Sequence, residues 1–178
     1  KFDVASLLCK GAKTDSYLSS DQLAAVKTVY EGPKDAQGNK LDSGFAFGGE
    51  NSARGWPRWL TGGLKFQTDL DEFQDGIDVG DNAAPVAPST HFAFGNGVMK
   101  YFVYNDPDWS YKNYSFENFQ KDVELAASTL NANNPDLSAF RKRGGKLLMF
   151  TGWSDSAITP LGTIAYYEDV LAHDKTAA

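Results

Sequence analysis

The chain has 178 residues, a hydrophobic fraction of 42%, an aromatic fraction of 13% and a formal net charge of -6. That acidic balance argues against nucleic acid and anionic membranes as partners, since both select basic patches, and no run approaches the roughly 20 apolar residues that cross a bilayer. Cys9 is the single cysteine, so no disulfide forms within the chain. Such a residue is either a small buried hydrophobe or half of a bridge to sequence elsewhere. Lys1 is not a natural start, so a mature or clipped N-terminus is expected.

In chain order, Ser19 with Gln22 matches a capping box ahead of Leu23, Val26 and Tyr30. A helix is predicted there, stopped by Gly32-Pro33. Residues 33 to 58 read as loop and short extended pieces, with bends at Gly44, Gly48 and Gly49. Trp56-Pro57-Arg58-Trp59-Leu60 opens an aromatic cluster. From Thr61 to Asn96 the chain is rich in Gly, Asp, Ala and Pro and reads as largely irregular, His91 included. Asp69, Asp71, Asp75, Asp78 and Asp81 suggest a cation, but their spacing misses the EF-hand pattern, and a solvated acidic loop is the expected reading. Gly97 to Tyr104 fits a helical turn or a strand. Phe116, Phe119, Val123 and Leu130 mark another amphipathic helix, capped by Ser115. Asn113-Tyr114-Ser115 is a glycosylation sequon, which matters only in a secreted eukaryotic protein. Asn131 to Pro135 reads as a linker, and Asp136 to Phe140 as a short helix closed by Gly144-Gly145.

The most informative stretch runs from Gly144 to Val170. Lys146 to Phe150 is a short apolar run between turn signals, as in a strand buried on both faces. Thr159-Pro160 then starts a helix, with Thr as N-cap and Pro at the first position. Leu161, Ile164, Tyr167 (or Ala165) and Leu171 give it an inward face. A parallel α/β sheet places its chemistry on loops of this kind, at the carboxyl ends of strands. Asp155 sits there, where an α/β-hydrolase presents the acid of a Ser-His-Asp triad. Gly152-Trp153-Ser154-Asp155-Ser156 nearly spells a nucleophile elbow, yet an elbow passes directly from strand to helix. Here several residues intervene, which suits an acid that orients a histidine. The competing reading is that Asp155 only holds its turn together. His173 ends the helix, where a cation interacts with the dipole, and no strand separates it from Asp155. A lone βα unit has no neighbours for its backbone groups, so the sheet partners must lie on other sequence.

Several segments resemble the tannase and feruloyl esterase family of secreted α/β-hydrolases. They include Asn134 to Phe140, Arg143 to Leu147, Gly152 to Asp155, Pro160 to Thr163 and Tyr166-Tyr167. Phe2-Asp3, Leu8 to Gly11, Gln22 with Val26 and Tyr30 to Pro33, and Gly95 to Trp109 extend the match in the family's order. The resemblance implies an α/β fold present here as a fragment. Residues 1–132 would be most of a loop-rich α+β lid, and residues 133–178 would be one βα unit of the catalytic sheet. It implies that the nucleophile lies before the lid, the histidine beyond Ala178, and that Asp155 is the triad acid. The reaction would be acyl transfer through an acyl-enzyme with water as final acceptor.

The same resemblance implies a secreted enzyme acting on esters of aromatic acids, with the remainder of the hydrolase polypeptide as its partner. Trp56, Trp59, Phe94, Asn96 and Met99 lie in lid stretches that would approach the substrate, with core packing the competing reading for each. Ile158 would line the acyl pocket. Thr151 stands where many relatives carry His, and Ser156 where many carry Pro after the acid. Tyr17 replaces the family's bridging cysteine, which leaves Cys9 as a buried thiol without the lid disulfide. The family's calcium loop would lie upstream of Lys1, so no cofactor is expected on this chain. The rival from another class is a stand-alone module holding polysaccharide or phenolic ligands. Such modules are usually β-rich, whereas amphipathic helices dominate here. A catalytically dead relative is the third possibility.

Overall fold

A computed structural model describes residues 2–11, 14, 16–35, 37–52, 55–62 and 89–174. The described residues are helical or extended without sheet. Their β pairing is confined to isolated bridges, Leu8 with Leu18 and Lys34 with Lys40.

Helix α1 spans Ser20–Glu31 and starts on the expected capping box. The Gln22 N–H donates to Ser19 Oγ at 3.2 Å, and the Ser19 N–H donates to Gln22 Oε1 at 3.0 Å. Leu23 buries its face. Gly32 ends the helix at φ +84°, and a side chain there would collide with the Asp42 carbonyl. Glycine is thus required both by conformation and by the close return of Asp42 to Gly44.

Helix α2 spans Thr90–Val98 and continues as a wider turn over Met99–Val103. The chain from Thr90 is therefore ordered helix where an irregular segment was expected, and the ambiguous 97–104 stretch is helical. Ser89 Oγ caps it by accepting from the Phe92 N–H at 3.2 Å. Ala93, Asn96, Met99 and Lys100 form its buried face, at helical spacing. Gly95 and Gly97 hide that pattern, because they lower the propensity of the same window.

The helix expected from Ser115 is broken. It appears as a 3-10 turn over Phe116–Asn118, α3 over Phe119–Asp122 and α4 over Glu124–Leu130. Ser115 caps it as expected, accepting from the Glu117 N–H at 3.4 Å. The apolar stripe is only partly covered: Phe119 and Val123 are half-buried, whereas Phe116 and Leu130 remain exposed. Asp122 instead anchors the segment, its Oδ2 accepting from Tyr104 at 2.9 Å and Tyr114 at 3.2 Å. Trp109 stacks on Tyr104 at 5.7 Å. Burial first, then the bond to Asp122, pushes the Tyr114 phenol well above its ordinary range.

After α5 (Ser138–Lys142), Gly144 turns the chain at φ +76°. Residues 145–151 then run without a ladder. Leu148 and Phe150 are 88% and 91% exposed. The buried strand read from the sequence is thus an uncovered segment among the described residues, because a parallel strand is held only by neighbouring strands. Helix α6 spans Pro160–His173, with Thr159 Oγ1 accepting from the Leu161 N–H at 3.3 Å. Leu137, Phe140, Leu147, Met149, Ile164 and Tyr167 line an apolar groove of about 610 Å³ between the extended segment, α5 and α6. Arg141 pairs with Asp174 at 2.6 Å across its end. His173, at the end of α6, lies 3.8 Å from Asp136. Cys9 is half-buried rather than buried, and its thiol donates to the Gly11 carbonyl at 3.1 Å.

Candidate active site

The loop from Gly152 to Thr159 carries Asp155 on its exposed side. The Asp155 N–H closes a turn onto the Gly152 carbonyl at 3.2 Å. Its carboxylate then accepts from two successive backbone groups, the N–H of Ala157 at 2.8 Å and of Ile158 at 3.1 Å. Both bonds end on Oδ1. That holds the carboxylate in one orientation and leaves the other oxygen without either of them.

The loop is tied to a platform made by residues 44–50. Thr159 Oγ1 donates to the Gly44 carbonyl at 2.6 Å, and Trp153 Nε1 donates to the Phe47 carbonyl at 3.1 Å. Between these ties, Gly49 packs directly on Ser154. The platform is itself braced by Glu50, whose Oε1 accepts from the Tyr30 phenol and from the Gly48 N–H, each at 2.7 Å. Partial burial works to raise the Glu50 carboxyl, but the Gly48 N–H and the Tyr30 phenol outweigh it and hold it below its ordinary value. Burial, and then the Glu50 bond, drives Tyr30 strongly upward. Tyr30 also packs on Phe47 at 4.2 Å and on Trp56 at 5.1 Å.

A second support comes from α2. His91 Nε2 bonds the Ala157 carbonyl at 2.9 Å. Its ring lies 5.6 Å from Phe45 and 5.5 Å from Trp59. Trp59 stacks with Phe94 at 6.3 Å, and Arg58 sits 5.5 Å from the Trp59 ring.

His91 thus connects Trp59 and Phe94 to the loop of Asp155 and Ile158. Ile158 is 72% exposed and Phe94 about half exposed. Trp56 belongs to the Tyr30 cluster beneath the platform. Asn96 and Met99 are buried on the inner face of α2, and Thr151 lies exposed at the end of the extended segment. The place of His91 was not legible in the sequence; the capping signal at Ser89-Thr90 marks the start of its helix. Ser154 shows no engagement by that histidine, whose Nε2 faces Ala157. Among the described residues, no three His, Cys, Asp or Glu side chains gather as metal ligands. The run Asp69 to Asp81 lies outside the described residues.

The profile described as "Tannase and feruloyl esterase" matches residues 1–178. The chain belongs to the tannase and feruloyl esterase family. It is 30% identical to an uncharacterized esterase of Xanthomonas campestris pv. campestris, over 97% of this chain and 28% of that protein. It is 31% identical to the mono(2-hydroxyethyl) terephthalate hydrolase of Piscinibacter sakaiensis, over 92% of this chain and 28% of that protein. The crystal structure of feruloyl esterase B from Aspergillus oryzae shares its fold, with a TM-score of 0.62 at 20% identity, covering 97% of this chain and 29% of that one. This tannase-family chain therefore spans less than a third of the length of these relatives. Among its described residues, no helix is long and apolar enough to cross a membrane.

Proposed function

We propose that this chain is the lid and triad-acid segment of a longer, secreted serine carboxylesterase that cleaves esters of aromatic acids. Residues 1–132 belong to the lid and residues 133–178 to the catalytic α/β domain. The observation that carries the reading is the carboxylate of Asp155. One oxygen is pinned by the Ala157 and Ile158 N–H groups, on a loop between an extended apolar segment and a capped helix. The turn alone would account for those two bonds, but they leave the second oxygen to accept from an imidazole, which a triad acid holds in one tautomer and stabilises as the imidazolium.

In the complete enzyme, a histidine from other sequence donates its ring N–H to Asp155. It takes the proton of a serine as the serine oxygen adds to the ester carbonyl. The alcohol leaves with that proton, and water then releases the acid from the acyl-enzyme by the same steps. Trp59, Phe94 and Ile158 offer flat and apolar walls of the kind an aromatic acyl group fills. The exposed Leu148 and Phe150 become buried when strands of the remaining polypeptide flank residues 145–151. The test is turnover of methyl ferulate and methyl gallate by the full-length polypeptide and by its Asp155→Asn variant. Activity that survives this substitution sinks the assignment.

A further inference from the structure

The peptide group joining Ala157 to Ile158 is held on both sides by side chains. Its carbonyl oxygen meets His91 Nε2 at 2.9 Å, and its N–H donates to Asp155 Oδ1 at 3.1 Å. A carbonyl only accepts, so the imidazole carries a proton on Nε2 and donates it. Donation to the oxygen of an amide polarises its N–H, so the two bonds reinforce each other. The ring has little freedom to leave, since Phe45 and Trp59 flank it at 5.6 and 5.5 Å. Trp153 and Thr159 tie the two sides of the acid loop to residues 44–47. His91 meets the loop between those ties.

We propose that His91 is a positioning residue for Asp155. It clamps the Ala157–Ile158 peptide so that the Ile158 N–H fixes Oδ1 and aims the carboxylate. His91 takes no proton from substrate or nucleophile in this role. The lid thus sets the orientation of an acid carried by the catalytic domain. The inference rests on reading Asp155 as the triad acid, and the experiment separates the two.

Full-length enzyme is assayed on methyl ferulate as wild type, His91→Phe, His91→Gln and Asp155→Asn, with a melting temperature for each. Phe keeps the ring and removes the donor; Gln supplies a donor without the ring. Misplacing a catalytic group by about 1 Å costs on the order of 10²-fold. The expected result for His91→Phe is a kcat lower by roughly 10- to 100-fold with KM nearly unchanged, and for His91→Gln recovery of most of that loss. Unchanged kcat in His91→Phe overturns the proposal. So does a raised KM at unchanged kcat, which would make His91 a substrate contact. So does His91→Gln failing to exceed His91→Phe. If His91→Phe does not fold, His91→Gln decides: near-native kcat supports the clamp, and lost kcat at a native melting temperature overturns it. An active Asp155→Asn refutes the underlying assignment whatever the His91 variants do.

Discussion

Gly49→Ala tests whether the platform sets the position of the acid loop. Gly49 sits at φ +80°, and a Cβ built on it would lie 2.7 Å from Ser154 Cβ. Carbon atoms in contact stand about 3.5–4.0 Å apart, so the loop must retreat by about 1 Å to admit the methyl group. The obstacle is the Cβ of Ser154, which moves only with its backbone, so the shift passes directly to the neighbouring Asp155. The backbone contributes separately: a left-handed conformation costs a non-glycine residue roughly 1–2 kcal/mol. Gly38 supplies the control, since it has φ +84° and nothing within 4 Å of the point where a methyl group would sit. Both variants of the full-length enzyme are expected to lose about 1–2 kcal/mol of stability to backbone strain in urea denaturation. Only Gly49→Ala is expected to lose kcat, on the order of 10²-fold. If Gly49→Ala and Gly38→Ala have the same kcat, the loop is not positioned by this contact and the reasoning fails.

Asp155→Asn in the full-length enzyme is expected to lower kcat on the order of 10⁴-fold, measured on methyl ferulate with a matching melting temperature, while the chain 1–178 alone shows no turnover. Tyr30→Phe removes a phenol that donates to a carboxylate and is expected to cost about 1.5–3 kcal/mol, less solvent screening at this half-exposed site, read by denaturant titration. Because folding raises the Tyr30 pKa above its ordinary 10.0, its contribution is complete below pH 10 and fades as pH rises further. Glu50 is lowered below 4.5, so its contribution fades as pH falls through that depressed value. Tyr30→Phe should therefore flatten the alkaline limb of the stability profile, and an unchanged limb counts against the coupling. Leu148→Asp changes the isolated chain by no more than about 0.5 kcal/mol, as befits an exposed position, but in the full-length enzyme it is expected to abolish soluble folded yield. Equal tolerance in both would refute a flanking sheet.

Much of the local structure was legible beforehand. The box of Ser19 and Gln22, the stop at Gly32, the Thr159-Pro160 start and the short helix before Gly144 all formed where expected. The Ser115 helix formed only in pieces, because a periodic stripe needs a surface to cover it, and of this one Phe116 and Leu130 stay mostly exposed while Phe119 and Val123 are half-buried. The α2 helix was missed because its two glycines masked a buried face that included polar Asn96 and Lys100.

The sequence by itself determined the caps, the turns and the placing of Asp155 between an apolar run and a helix. Those features rest on hydrogen bonds and steric limits that reach only a few residues. The Asp155 carboxylate is held by its own turn, through the Ala157 and Ile158 N–H groups, but tertiary structure alone decided what holds that loop. Thr159 meets Gly44 across 115 positions, Trp153 meets Phe47 across 106, and His91 meets Ala157 across 66. Each ends on a backbone carbonyl, which every residue carries, so no residue type along the chain marks the partner.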